Sequence, residues 1–216
     1  MIRRTRLISA IALAAALAGC SKKGGLVITE GVGITSVLSS CPAVGIPDYT
    51  GNVTQFRAPG DKTSGNIDVT ASITNLRTTC DETGAKVYSN STFDVYARRT
   101  DTNGARSVTL PYFSTVMRGG TAVLSKRIGQ VTLNFANGQE RAQASAQAGA
   151  FVDRNEATLP ADIREKITRK RRAGDVDAAL DPLADPQVKA AIQQASFEVL
   201  IGFQLSEGQL AYNATR

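Results

Sequence analysis

The chain has 216 residues, a formal net charge of +6 and no histidine. Without an imidazole it lacks the proton shuttle of Ser-His-Asp and Cys-His nucleophilic systems and the nitrogen of His-ligated zinc or iron sites, so those classes of chemistry are excluded. Hydrophobic residues make up 42% of the chain, enough to bury a sizeable core.

The first apolar run, Leu7 to Leu17, follows Arg3, Arg4 and Arg6. It is far shorter than the roughly 20 residues a spanning helix needs, and it reads as a targeting signal rather than a membrane span or a core helix. Its end, Leu17-Ala18-Gly19-Cys20, resembles the lipobox of bacterial lipoproteins, in which a small residue precedes a cysteine that becomes the new N-terminus. Small side chains at Ala18 and Gly19 let the backbone lie close in a peptidase groove, and only a thiol carries a thioether-linked lipid. The resemblance implies removal of residues 1–19, with a diacylglycerol and an N-acyl chain on Cys20 and no other cofactor. Each buried CH₂ of those chains contributes about 0.8 kcal/mol, so several chains give near-permanent attachment. In such families an Asp after the cysteine accompanies inner-membrane retention; Ser21 therefore points by resemblance to the outer membrane, facing the periplasm. Three arginines and no acid leave with the signal, which lowers the net charge from +6 to +3. A nucleic-acid partner is not expected of the remainder.

Residues 20–40, Gly-rich and charged near their start, read as a lipidated cysteine and a tether, with Leu26 to Ile28 available to a first strand. If Cys20 is acylated, Cys41 and Cys80 remain as a pair in an oxidising compartment, where a disulfide is the expected state. A redox-active pair is disfavoured because the spacing is not C-x-x-C.

From Cys41 the texture is of short β-type runs. "NIDVTASITNL" alternates Ile67, Val69, Ala71 and Ile73 with polar residues, and "KVYSNSTFDVYARRT" alternates Phe93, Val95 and Ala97 with Asp94, Tyr96 and Arg98. Asn103-Gly104 lies between that run and "SVTLPYFSTVM" and predicts a hairpin, and Asn137-Gly138 predicts another. Strands are expected at Ala122 to Ile128, Val131 to Phe135 and Gln143 to Val152. Pro111 argues for an edge position or a bend in its strand.

After Leu159 a helical pattern appears. "LPADIREKITRKRR" has Pro160 in the first turn, Ile163 and Ile167 four apart, and Asp162–Lys166 and Glu165–Arg169 at helix spacing. A second helix is expected from Asp185 as cap and Pro186 at the first position. "SFEVLIGFQL" returns to strand, and "SEGQLAYN" closes with a turn or short helix. These elements predict a mainly β fold: an antiparallel β-sandwich over residues 41–216, immunoglobulin-like in class rather than strict topology, with a helical insertion at about 159–195. "CPAVGIPDYTGNVTQFRAPG" and "FEVLIGFQLSEGQLAYN" resemble stretches of uncharacterised lipoproteins of alphaproteobacteria, which implies a shared periplasmic domain and supplies no activity.

Three constellations bear on chemistry. No serine sits in a G-x-S-x-G elbow or a fitting S-x-x-K element. Asp175, Asp177, Asp181 and Asp185 invite a calcium reading, but an EF-hand loop counted from Asp175 fails at Ala179, Leu180 and Pro186, and no metal site is expected. Arg164, Lys166, Arg169, Lys170, Arg171 and Arg172 form the strongest charge feature and are the candidate contact for an anionic partner, set against a solvated helix face with local ion pairs. The expectation is a lipid-anchored, non-enzymatic binding or structural module whose partner is the membrane, an envelope protein, anionic lipid or peptidoglycan. The alternative is a cell-wall- or lipid-acting enzyme that uses carboxylates.

Overall fold

Apolar alternation at period two builds two sheets that close on each other. A computed structural model describes residues 39–58, 60–172 and 174–215. Its strands are β1 (Ala43–Gly45), β2 (Asn52–Phe56), β3 (Ile67–Asp81), β4 (Lys86–Arg99), β5 (Arg106–Arg118), β6 (Ala122–Phe135), β7 (Arg141–Asp153) and β8 (Phe197–Phe203). Helices α1 (Ala161–Thr168) and α2 (Pro186–Ala195) lie between β7 and β8, and α3 (Glu207–Ala214) follows β8. One sheet has the order β1-β8-β5-β6 and the other β2-β3-β4-β7. Every pairing is antiparallel except the short β1–β8 contact, in which Val44 sits opposite Val199. The expected sandwich class is observed.

The inward faces supply the core. On β4, Phe93, Val95 and Ala97 are buried in one core with Leu110, Val131, Leu133, Phe135, Val199, Ile201 and Phe203 from the other sheet. On β7 the inward positions are alanines, Ala142 to Ala150 in steps of two, and the gap they leave is filled by Tyr112. The Tyr112 ring packs edge-on against Phe93 with centroids 5.1 Å apart. Its hydroxyl donates to the Gln147 carbonyl at 2.8 Å, joining the sheets. A Cβ at Gly129 would lie 2.4 Å from that ring, so only glycine fits there.

The two Asn-Gly turns do not make hairpins, contrary to the sequence expectation. β4 pairs with β3 and β7 while β5 pairs with β6 and β8, so the 100–105 loop crosses between sheets; the 136–140 loop crosses back from β6 to β7. Gly104 and Gly138 do adopt positive φ, 73° and 77°, as such turns require. The local turn chemistry is therefore right, and the error lies in which strand receives the chain. The consecutive strands that pair antiparallel are β2–β3, β3–β4 and β5–β6, the last turning through Gly119 and Gly120 at positive φ. β6 is also one strand rather than two. Pro111 lies one residue beyond the point where β8 stops pairing with β5, at Tyr112, so its missing N–H breaks no ladder on that side.

The sandwich thus has two distinct ends. At one, Arg99 holds the two crossover loops and α3 packs on β2 through Tyr212 and Phe56. At the other, Cys41 is bonded to Cys80, with Cα atoms 6.1 Å apart, as expected. The β3–β4 and β5–β6 tips and the helical insertion share this disulfide end.

Candidate functional site

The basic segment and the acidic segment that follows it are brought together at the disulfide end. α1 exists because Ile163 and Ile167, one turn apart, pack with Leu159 and Val188 in a small second core. It ends at Thr168, so Arg169, Lys170, Arg171 and Arg172 lie beyond it; the helix stops one turn short of the end of the expected basic segment. The cause is an alternative set of partners. Arg169 bonds Asp177, Arg171 Nε lies 3.5 Å from the same carboxylate, and Arg171 Nη2 donates to the Lys166 carbonyl at 2.9 Å. The chain folds back on itself around Asp177 instead of continuing as a helix.

The helix-spaced pairs expected from the sequence are replaced accordingly. Lys166 reaches Asp185 at 3.9 Å rather than Asp162, and Arg169 takes Asp177 rather than Glu165. Arg164 Nη2 donates to the Leu159 carbonyl at 3.2 Å, bracing the start of its own helix. Lys170 and Arg172 remain exposed, and their side chains have no charge partner among the described residues. Val176 and Leu180, in the loop that follows, are exposed as well. Lys170 and Arg172 are thus the members of the six-residue candidate set whose side chains are exposed and held by no ion pair or hydrogen bond among the described residues.

The four aspartates each have a structural task. Asp175 accepts from the Arg172 N–H at 2.9 Å and Asp177 holds the two arginines. Asp181 accepts from Leu183 N–H and caps the 3-10 turn Pro182–Ala184. Asp185 caps α2 by accepting from Gln187 N–H at 2.8 Å, with Pro186 in the first turn, as the sequence indicates. Among the described residues no three His, Cys, Asp or Glu side chains converge as a metal site would require.

The described chain begins at this same end. Ser39, Cys41 and Ala43 border a recess of about 260 Å³ together with Leu159 before α1 and Ile192 and Ala195 of α2. Glu82, in the β3–β4 turn, accepts from the N–H and hydroxyl of Ser40 at 3.0 and 2.6 Å, and these bonds hold its carboxyl below the usual range. Cys20 lies outside the described residues.

At the opposite end a cleft of about 480 Å³ is lined by Thr54, Phe56, Lys62, Asp68, Ser206 and Gln209, among others. Its one carboxylate is engaged: Arg106 grips Asp68 with both guanidinium nitrogens, at 2.7 and 2.6 Å, and lowers its pKa.

A buried cation escaped the sequence reading. Arg99 is fully buried and donates to the carbonyls of Gln139, Thr102, Gly104 and Ala136 at 2.7 to 3.0 Å, with its guanidinium carbon 5.2 Å from the Phe135 ring centre. The signal was available in the alternation: Arg99 continues the inward phase of Phe93, Val95 and Ala97. No family model, curated protein or solved structure matches this chain.

Proposed function

We propose that this chain is a lipid-anchored envelope protein, held through Cys20 on the periplasmic face of the outer membrane, that acts by binding rather than turnover. One observation supports the reading most: Cys41, 21 residues after Cys20 in the sequence, is fixed by its disulfide at the end of the sandwich that carries the helical insertion. An anchor at Cys20 keeps the disulfide end, with Lys170 and Arg172, near the membrane surface and its anionic headgroups, within reach of envelope proteins or peptidoglycan. The disulfide is in keeping with an oxidising compartment. A binding role is further favoured by the absence of histidine and by the engagement of Asp68 with Arg106.

The test is fractionation of cells expressing the full chain or Cys20→Ser. The wild type is expected with outer membranes and the variant in a soluble or differently sedimenting fraction. Identical fractionation of the two contradicts the anchor, and turnover of a cell-wall or lipid substrate by the purified protein contradicts the binding role.

A further inference from the structure

Resting on that anchored reading, we propose that the first half of β6 is a membrane-seating element, an exposed edge strand of mixed aliphatic and cationic side chains that enters the interface of an anionic lipid surface. β6 is an edge strand, and from Ala122 to Ile128 every residue is exposed, whereas Val131, Leu133 and Phe135 further along are core. Val123, Leu124 and Ile128 are 62%, 51% and 54% exposed. Exposed aliphatic side chains on an unpaired edge are unfavourable in water and mark a contact surface.

Charge and position choose among occupants. Lys126 and Arg127 sit between the aliphatic residues, and Lys126 Nζ lies 5.2 Å from the centre of the Phe113 ring. No ion pair engages either cation among the described residues. Between Arg118 and Gln139 the chain contains no acid at all. Edge-to-edge pairing with a second copy brings these cations toward their own duplicates, which is unfavourable. An anionic surface accepts both parts of the pattern, with aliphatic groups entering the headgroup boundary and cations meeting phosphates.

The strand is also placed for it. The β5–β6 tip lies against the end of α2, where Gly119 N–H donates to the Ser196 carbonyl at 2.9 Å and Arg118 Nε donates to the Gln194 carbonyl at 2.6 Å. α2 borders the recess at which Ser39 begins, so the 18 residues to Cys20 start from the same end as Val123 and Leu124. Phe151, exposed and stacked on Tyr88 at 4.6 Å, adds an apolar group to that end.

The chain has no tryptophan, so a single introduced indole reports its own depth. Acylated mature protein carrying Leu124→Trp, or Glu207→Trp at the opposite end, is reconstituted on vesicles of phosphatidylethanolamine and phosphatidylglycerol containing a brominated lipid. Leu124→Trp is expected to lose about half its emission and Glu207→Trp almost none, as interfacial burial of only one end requires. Adding Lys126→Glu and Arg127→Glu is expected to restore most of the lost emission. Acylated, vesicle-bound protein with equal emission loss at both positions, or none at either, overturns the inference and leaves the anchor standing. Intact mass showing no acyl group on Cys20 overturns both.

Discussion

Arg99 Nε donates to the Gln139 carbonyl at 2.7 Å, tying the last residue of β4 to the loop that returns the chain from β6 to β7. The same guanidinium takes carbonyls from the 100–105 crossover, and Gly138 N–H donates to the Thr102 carbonyl at 2.9 Å. One side chain therefore clamps both places where the chain changes sheets. Arg99→Met keeps most of the volume but leaves several carbonyls without donors. Charged hydrogen bonds contribute about 1.5–3 kcal/mol each, and non-additivity makes an overall loss of about 3–5 kcal/mol the expectation for urea unfolding. A loss below about 1 kcal/mol would show that water replaces the clamp.

The Asp68–Arg106 pair gives stability a defined pH dependence. Arg106 depresses the Asp68 pKa, so the pair's contribution is complete above the unfolded value of about 3.9 and is lost as pH falls through the lower folded value. Asp68→Asn is expected to be less stable than wild type at pH 7, with the difference narrowing in acid below pH 4. An unchanged difference from pH 7 to pH 2, measured by denaturant melts, would contradict the assignment.

Reduction of Cys41–Cys80, or their joint replacement by Ala, frees a loop of about 40 residues, and the chain-entropy account expects a loss of about 4 kcal/mol. Peptide mapping without reductant should recover the linked pair. Calorimetry with and without reductant measures the effect, and an unchanged midpoint would mean that β1 and β3 are held by other contacts.

What the sequence made legible is what depends on local pattern. Alternation at Phe93, Val95 and Ala97 found β4, Asp185-Pro186 found the start of α2, and three cysteines with one in a lipobox left a single pair. What it hid depends on tertiary choice. Asn103-Gly104 and Asn137-Gly138 supply positive φ whether the chain turns back or crosses, and the clamp across both crossings is Arg99, a charge at the end of the inward phase of β4. The length of α1 was overestimated because the stop comes from Asp177, at a distance, and not from a breaker at Thr168.

That fold-back divides the basic residues into two kinds. Lys170→Gln with Arg172→Gln is expected to leave the melting midpoint unchanged and to lower retention on anionic envelope material, more at low salt than at high, since screening weakens exposed charges first. Arg169→Gln with Arg171→Gln is expected to lower stability instead by releasing Asp177. Retention by the first pair equal to wild type at low salt would reject the patch.

The proposed attachment through Cys20 is read out by intact-mass measurement of the protein extracted from the cell envelope. The expected result is loss of residues 1–19, a new N-terminus at Cys20 and added acyl mass on that residue. A soluble form in wild-type cells that retains an unmodified Cys20, or is cut elsewhere, would contradict the account.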